Sequence, residues 1–262
     1  MPTTTKAPKG TFCWIELQST DLPASRKFYG SLFGWETSDM PGPQPYVMAS
    51  KGTNNVAGLT VLADEAKKMG APPSWLSYVA VDDAAASAKT IASLGGKVLM
   101  GPMEMSPGRM VFAQAPTGAV FALWQQLQPM GTFLFGEPGS LGWNELLTTN
   151  VDRAGSFYGG LFGWAPKASE LPGMVYTTFM LGDTDTMAGG MMAQPKEMAG
   201  APSMWTVYFS VADADKTVEV AKSLGGMVQV PPTDIPTVGR FAVLTDPQGA
   251  AFSVIAFLPR TA

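Results

Sequence analysis

The sequence contains no histidine and only one cysteine among its 262 residues. Without histidine there is no Ser-His-Asp or Cys-His catalytic device, no histidine metal ligand and no imidazole base near neutral pH. The single cysteine, Cys13, excludes an intrachain disulfide and a metal cluster of several cysteines. We interpret it as a small apolar residue of a strand. These two absences remove most of the familiar catalytic and metal-binding residue sets.

Charge is also scarce: 15% of residues are charged and the net charge is −4. This balance provides no basic surface for nucleic acid or for an anionic membrane. No stretch reaches the roughly 20 apolar residues of a membrane helix, and the N-terminal residues lack the apolar core of a signal peptide. We therefore expect a soluble, cytoplasmic protein whose partner is a small molecule.

An internal duplication organises what the chain does contain. The sequence FYGSLFGW at 28–35 returns as FYGGLFGW at 157–164, and the SLGG segment at 93–96 returns at 223–226. Equivalent residues are separated by 129 to 131 positions. A nearly constant offset indicates tandem copies with small loop insertions.

Glycine and proline between the two copies predict the domain boundaries. We place the first domain at 8–127, the linker at 128–138 and the second domain at 139–258. Each domain divides again into two similar units, and each unit is predicted to be a strand, a helix and about three further strands. The predicted fold class is α+β, with four βαβββ units.

The repeated motifs resemble a known superfamily. The FYGSLFGW opening, the SLGG helix end and the closing Gly-Arg-Phe-x-x-x-x-Asp-Pro-x-Gly-Ala at 239–250 are similar to the vicinal oxygen chelate superfamily. That superfamily includes glyoxalases, bleomycin-resistance proteins and extradiol dioxygenases. The resemblance implies two tandem glyoxalase/bleomycin-resistance-type domains, each with a concave sheet that binds ligands. It does not by itself give the function, because one fold supports several chemistries.

The resemblance also places the superfamily's metal-ligand positions. The first-strand ligand lies seven residues before the residue that begins each helix, taken as Asp82 and Ala212 in the second units. The four positions obtained in this way are Trp14, Trp75, Trp143 and Trp205. The last-strand glutamate corresponds to Ala122 and Ser253. Because an indole N–H is only a hydrogen-bond donor, we expect no metal and no cofactor.

Strand alternation predicts which side chains face the cavities. Trp14 and Glu16 share one face of their strand, whereas Cys13, Ile15 and Leu17 share the other, which we expect to pack under the helices. The same parity places Tyr78 and Tyr208 in the core. The residues predicted to bind a ligand in the two cavities are Trp14, Trp75, Ser77, Trp143, Trp205, Phe209 and Ser253. The alternative is that the tryptophans fill a core.

Glu16 and Glu145 are the candidate catalytic residues. Desolvation beside tryptophan would raise the pKa of each carboxyl toward neutrality, which suits a general acid or base. The leading hypothesis is a metal-independent protein that binds a planar or hydrophobic metabolite, as in sequestration or resistance. The alternative is a metal-free isomerase, lyase or cyclase, and a metal-dependent glyoxalase or dioxygenase ranks third. An interaction module remains open, as does the choice between a monomer with internal pseudo-twofold symmetry and a homodimer.

Overall fold

The computed structural model describes residues 3–68, 70–171 and 174–259. The α-helices of this part of the chain are α1 (Leu22–Phe33), α2 (Asp64–Lys68), α3 (Ala84–Ser93), α4 (Val151–Phe162) and α5 (Ala214–Ser223). A short 3-10 helix covers Lys196–Met198. None of these helices combines the length and the apolar composition that a bilayer crossing requires.

Two sheets contain the strands, one sheet in each copy of the repeat. The first sheet consists of β1 (Thr3–Thr4), β2 (Phe12–Ser19), β3 (Glu36–Met40), β4 (Tyr46–Lys51), β5 (Asn54–Val61), β6 (Ser74–Ala80), β7 (Lys97–Met105), β8 (Gly108–Gln114), β9 (Val120–Gln126) and β10 (Phe133–Leu134). The second consists of β11 (Leu141–Thr148), β12 (Trp164–Leu171), β13 (Met174–Leu181), β14 (Met187–Ala193), β15 (Met204–Ser210), β16 (Met227–Ile235), β17 (Gly239–Thr245) and β18 (Ala251–Phe257).

The two sheets share one topology. Their eight common strands follow the orders β3-β4-β5-β2-β6-β9-β8-β7 and β12-β13-β14-β11-β15-β18-β17-β16. In each sheet the first strands of the two units lie side by side and antiparallel, β2 with β6 and β11 with β15. The first sheet has an addition, because β10 pairs with β5 and β1 pairs with β10. The predicted α+β fold with four βαβββ units is confirmed.

Capping side chains fix where the helices begin. Asp21 accepts a hydrogen bond from the backbone N–H of Ala24, and Asn150 does the same for Arg153 at the start of α4. These bonds satisfy backbone donors that the first turn of a helix leaves unpaired. Both helices end at a glycine in the left-handed conformation, which a residue with a Cβ adopts only with strain.

The caps of the second-unit helices lie one residue after Asp82 and Ala212, the positions from which the metal-ligand positions were counted. Asp83 caps α3 and Asp213 caps α5, each through its own side chain. The prediction that Asp82 and Ala212 occupy these positions is therefore wrong. The two adjacent aspartates at 82 and 83 made the choice ambiguous in the sequence, since either side chain can cap a helix.

The convex sides of the two sheets pack back to back with the helices between them. Helix α1 contacts α5, and α3 contacts α4. One core joins the first unit to the fourth, and the other joins the second unit to the third. Neither domain buries its helix-covered face without the other, so the two copies share their hydrophobic cores.

Phe209 provides a test of this shared core. Its ring is fully buried. The centroid of this ring lies 4.7 Å from that of Phe33 and 5.1 Å from that of Trp75, and both of these residues belong to the other domain. Phe209→Ala should lower the free energy of unfolding by about 3–5 kcal/mol, because the cavity cannot close between two rigid sheets. Guanidinium denaturation followed by circular dichroism should show one transition shifted as a whole.

The control is Phe257→Ala, which removes a ring that is 43% exposed. We expect it to change the free energy of unfolding by less than about 0.5 kcal/mol. Two separate transitions in Phe209→Ala, with only one of them shifted, would contradict a shared core.

Candidate functional site

We call the concave side of the first sheet face 1 and the concave side of the second sheet face 2. Face 1 carries a chain of hydrogen bonds around Glu16. The indole Nε1 of Trp14 donates to the hydroxyl of Tyr46 at 2.9 Å. The hydroxyls of Tyr46 and Tyr78 both lie close to the Glu16 carboxyl, which is buried, and the Tyr78 hydroxyl also hydrogen-bonds Met110 Sδ at 3.6 Å. The two hydroxyls lower the pKa of the carboxyl and so offset part of the effect of its removal from water.

Face 2 repeats the same arrangement with other residue numbers. Trp143 Nε1 donates to the hydroxyl of Tyr176 at 2.9 Å, and the hydroxyl of Tyr208 donates to Glu145 Oε1 at 2.8 Å. The hydroxyl of Tyr176 also lies close to the Glu145 carboxyl and lowers its pKa. In each sheet the tryptophan and one of the tyrosines are direct partners on the two central strands, Trp14 with Tyr78 and Trp143 with Tyr208. Each face therefore holds one Trp–Tyr–Glu–Tyr network.

A glycine beside each glutamate makes room for the network. Gly58 pairs with Glu16 and Gly190 pairs with Glu145 on the adjacent strand. A Cβ at Gly58 would overlap the hydroxyl of Tyr46, and one at Gly190 would overlap the hydroxyl of Tyr176. The missing side chain lets the tyrosine lie across the strand and reach both the indole and the carboxyl.

The four tyrosines of the two networks were not predicted from the sequence. Tyr176 follows Tyr46 by 130 residues, and Tyr208 follows Tyr78 by the same interval. This interval equals the offset of the repeat, so a comparison of the two copies carried the signal. Strand parity predicted Tyr78 and Tyr208 on the helix-packed face, and this prediction is wrong. The repeated interval between the tyrosines was therefore not interpreted as part of a site.

The predicted orientation of the second-unit tryptophans is also wrong. Trp75 Nε1 donates to the hydroxyl of Tyr29 on α1 at 3.0 Å, and Trp205 Nε1 donates to that of Tyr158 on α4 at 2.8 Å. Both indoles lie in the shared cores under the helices. They hold the sheets to the helices and do not line a cavity.

Ser77 and Phe209 were expected on the concave faces and lie on the convex ones. The hydroxyl of Ser77 hydrogen-bonds the Asn144 side chain of the other domain at 2.5 Å, and Phe209 belongs to a shared core. The cause is that the caps of α3 and α5 are Asp83 and Asp213, one residue after the positions from which the count was made. A count of seven residues back from the true caps reaches Leu76 and Thr206, and a shift of one residue in a strand reverses every side chain.

The remaining predicted residues lie on the faces or beside them. Trp14 and Trp143 lie on the concave sides, and Ser253 faces Tyr208, whose hydroxyl it hydrogen-bonds. Cys13 was expected under the helices but belongs to the cluster on face 1. An irregularity in the pairing between Phe12 and Trp14 interrupts the alternation there.

Burial changes the acidity of both carboxyls. It raises the pKa of Glu16 to about 7, although hydrogen bonds from Tyr78 and Tyr46 oppose the shift. It raises the pKa of Glu145 as well, against hydrogen bonds from Tyr208 and Tyr176. Burial and the neighbouring carboxylate also raise the pKa of the tyrosines, which therefore remain protonated donors near neutral pH.

The two faces differ in accessibility. The segment between the two copies lies over face 1, where Phe133 packs against Trp14 with ring centroids 5.4 Å apart and Met130 Sδ accepts the Nε1 hydrogen of Trp124. Trp14 is only 7% exposed as a result. Among the described residues the second sheet has no strand equivalent to β10, and Trp143 is half-buried. Face 2 is the more open of the two.

A hollow of about 550 Å³ beside α5 is separate from both faces. Of the residues that line it, Asp215 is already paired with Arg240 at 2.7 Å. The other polar side chains around it, Lys216 and Glu219, are exposed. We therefore place the candidate site on the concave faces, where buried polar groups converge.

A divalent metal, which the resemblance implies, does not fit these residues. Within the described part of the chain, each network offers a single carboxyl, which lies beside two tyrosine hydroxyls. The neighbouring indole can only donate. Within the ranges that the structure describes, no three His, Cys, Asp or Glu side chains come together in a group suited to a metal ion.

Comparisons with known proteins agree with this fold. The family model of the Glyoxalase/Bleomycin resistance protein/Dioxygenase superfamily matches residues 11–123 and 140–254. The Mycobacterium bovis protein named "Putative glyoxylase CFP32" is 43% identical over 265 residues, which cover 99% of this chain and 100% of that protein. Anthracycline biosynthesis protein DnrV of Streptomyces peucetius is 37% identical over 265 residues, covering 96% of this chain and 94% of DnrV.

Solved structures show the same architecture. The Mn(II)-bound glyoxalase from Novosphingobium aromaticivorans superposes with a TM-score of 0.66 at 15% identity, over 96% of this chain and 83% of that one. The 2,3-dioxygenase LapB from Pseudomonas sp. KL28 superposes with a TM-score of 0.65 at 14% identity, over 96% and 93%. At such identities the likeness shows the fold alone.

The raised pKa of Glu16 has a measurable consequence for stability. Between about pH 4.5 and pH 7 the folded protein keeps a proton on Glu16 that the unfolded chain has lost, so this residue's contribution to stability falls as the pH rises through that interval. Glu16→Gln cannot lose a proton. We expect the free energy of unfolding of the variant, relative to the wild type, to rise by about 3 kcal/mol across the interval.

Urea denaturation at pH 4.5, 6 and 7.5 would measure the difference. Parallel curves for the wild type and Glu16→Gln would show that Glu16 titrates normally.

Proposed function

The chain belongs to the Glyoxalase/Bleomycin resistance protein/Dioxygenase superfamily, and from this premise we propose that it binds a planar or hydrophobic small molecule on face 2 without a metal ion. One observation carries the proposal. At the first-strand ligand position that the superfamily resemblance implies, each domain instead has the tryptophan of a Trp–Tyr–Glu–Tyr network, and on face 2 the rings of Trp143 and Tyr176 in that network are half-buried.

The side chains of face 2 suit a flat apolar ligand. Trp143, Tyr176 and Phe241 are all half-buried, so each retains ring surface that a ligand can cover. Aromatic rings supply large contact areas with little loss of side-chain entropy, and they favour stacked or edge-on neighbours. Glu145 adds one polar anchor at the centre of this surface.

The relatives support a small-molecule partner in two ways. DnrV is named for anthracycline biosynthesis, and anthracyclines are planar fused-ring compounds, a shape that suits an aromatic face. CFP32 is named a glyoxylase, which favours catalysis. Glyoxalase chemistry of the ordinary kind requires a metal, and the donor set of both faces does not provide for one.

Binding can be tested with an anthracycline as the probe. We expect isothermal titration calorimetry in excess EDTA to show about one anthracycline bound per chain. Trp143→Phe should weaken the affinity at least about fivefold, because loss of indole area and of the Tyr176 contact removes on the order of 1 kcal/mol. Trp14→Phe, the matched change on the covered face, should leave the affinity within about twofold.

Two results would contradict the proposal. One is an affinity that disappears in EDTA and returns with Mn²⁺ or Zn²⁺. The other is an equal loss in Trp14→Phe and Trp143→Phe, which would mean that the probe does not distinguish the faces.

A second candidate function is a metal-free isomerase, lyase or cyclase. The observation in its favour is that burial raises the pKa of Glu145, which lies on the open face. A carboxyl that titrates nearer to neutral pH is a better general base for a C–H bond beside a carbonyl than an ordinary one. The hydroxyl of Tyr208, 2.8 Å from its Oε1, would hold the carboxyl in position.

The bicyclic ketone 2-tetralone tests this candidate, because its C–H bonds beside the carbonyl exchange with D2O when a base removes the proton. If Glu145 is such a base, the protein should accelerate exchange measured by NMR in EDTA, and Glu145→Gln should lower the rate at least about a hundredfold. Glu16→Gln serves as the matched variant of the covered face. Exchange that proceeds as fast in Glu145→Gln as in the wild type would contradict Glu145 as the base, and no acceleration by the wild type would leave binding as the function.

A further inference from the structure

We infer that the ligand of face 2 has an apolar body and an oxygen-bearing end, with that end at Glu145 and the body over the outer part of the face. The inference deepens the proposed function and rests on it. It comes from a comparison of the two faces, which share one backbone and one Trp–Tyr–Glu–Tyr network but differ in the polarity of the side chains around it.

The first difference lies in the row of residues that pair across the strands at the level of the glutamate, which we call the inner row. On face 2 the inner row is Thr178, Gly190, Glu145 and Thr206. On face 1 it is Met48, Gly58, Glu16 and Leu76. The two side chains that flank the network are hydroxyls on face 2 and hydrocarbons or a thioether on face 1.

The second difference lies two residues further along the same strands, in what we call the outer row. On face 2 its members beside Tyr176 are Met192, Leu147 and Met204. On face 1 its members beside Tyr46 are Thr60, Gln18 and Ser74. The outer row is therefore apolar on face 2 and polar on face 1, the reverse of the inner row.

Face 1 shows what its own pattern accommodates. Its occupant is part of the chain: Phe133 packs on Trp14, and both belong to a buried cluster with Leu76. An apolar occupant meets an apolar inner row, and the polar outer row remains in contact with water. The same rule applied to face 2 requires an occupant that is polar at the inner row and apolar at the outer row.

The chemistry of the two rows on face 2 defines the ligand further. The Thr206 hydroxyl donates to the backbone oxygen of Glu145 at 3.0 Å and keeps lone pairs for a ligand hydroxyl. Thr178 can donate to a ligand carbonyl or hydroxyl. Met204 is 37% exposed, and Met192 and Leu147 are half-buried. A ligand body that covers them removes apolar surface from water, and flexible thioethers adapt to its shape.

The probes for this inference are naphthalene and 2-naphthol, which share one apolar body and differ by one hydroxyl. We expect calorimetry with the full chain to show 2-naphthol binding about tenfold more tightly than naphthalene. Thr178→Val and Thr206→Val, which preserve side-chain shape, should together weaken 2-naphthol at least about fivefold and leave naphthalene within about twofold. Leu147→Gln should weaken both probes.

Gln18→Leu is the control, since it makes the reciprocal exchange at the matching position of face 1 and should change neither affinity. The melting temperature of each variant shows that it is folded. Equal affinities for the two probes, or a Thr178→Val/Thr206→Val protein that binds 2-naphthol as the wild type does, would overturn the inference while Trp143-dependent binding still supports the proposed function. Absence of binding by naphthalene, 2-naphthol and the anthracycline would overturn both.

Discussion

The concave sites depend on one constraint, the burial of a carboxyl group on each sheet. A carboxyl removed from water must find hydrogen-bond donors in the protein. Glu145 accepts a hydrogen bond from the hydroxyl of Tyr208 and lies beside the hydroxyl of Tyr176, which accepts a hydrogen bond from the indole of Trp143. Gly190 supplies the space that this arrangement needs. The network therefore holds together as a unit, and the same four roles recur around Glu16.

The arrangement of the domains determines which network a ligand can reach. The helix-covered sides of the two sheets are buried against each other, which leaves the opposite sides, face 1 and face 2, as the sheet surfaces that a ligand could reach. The segment between the copies then lies over face 1 and places Phe133 on Trp14. The two copies of the site therefore differ. Among the described residues a segment of the chain itself covers face 1 and none covers face 2, although the eight common strands of the two sheets follow the same order.

This divergence explains why the fold alone is a poor guide to the chemistry. Glyoxalase and dioxygenase structures share the architecture. The centre of each face here, however, is a carboxyl that lies beside tyrosine hydroxyls and whose pKa is raised by burial. Such a centre can hold or accept a proton and can anchor an oxygen atom of a bound small molecule. For a metal ion it offers a single coordinating group, the carboxyl, which tyrosine hydroxyls already contact. The function follows from the side chains placed on the sheets.

The sequence alone determined the α+β fold, the four repeated units, the superfamily and the concave position of Trp14 and Trp143, because repeats and short-range alternation are local properties of a chain. Only the tertiary structure decided that Trp75 and Trp205 serve the shared core and that Tyr78 and Tyr208 hold the glutamates. The physical reason is that a side chain's face depends on the register between strands. When the predicted cap of a helix is wrong by one residue, the side chains of the preceding strand are all predicted on the opposite face of the sheet. No local pattern indicates which neighbouring strand or domain will cover that face.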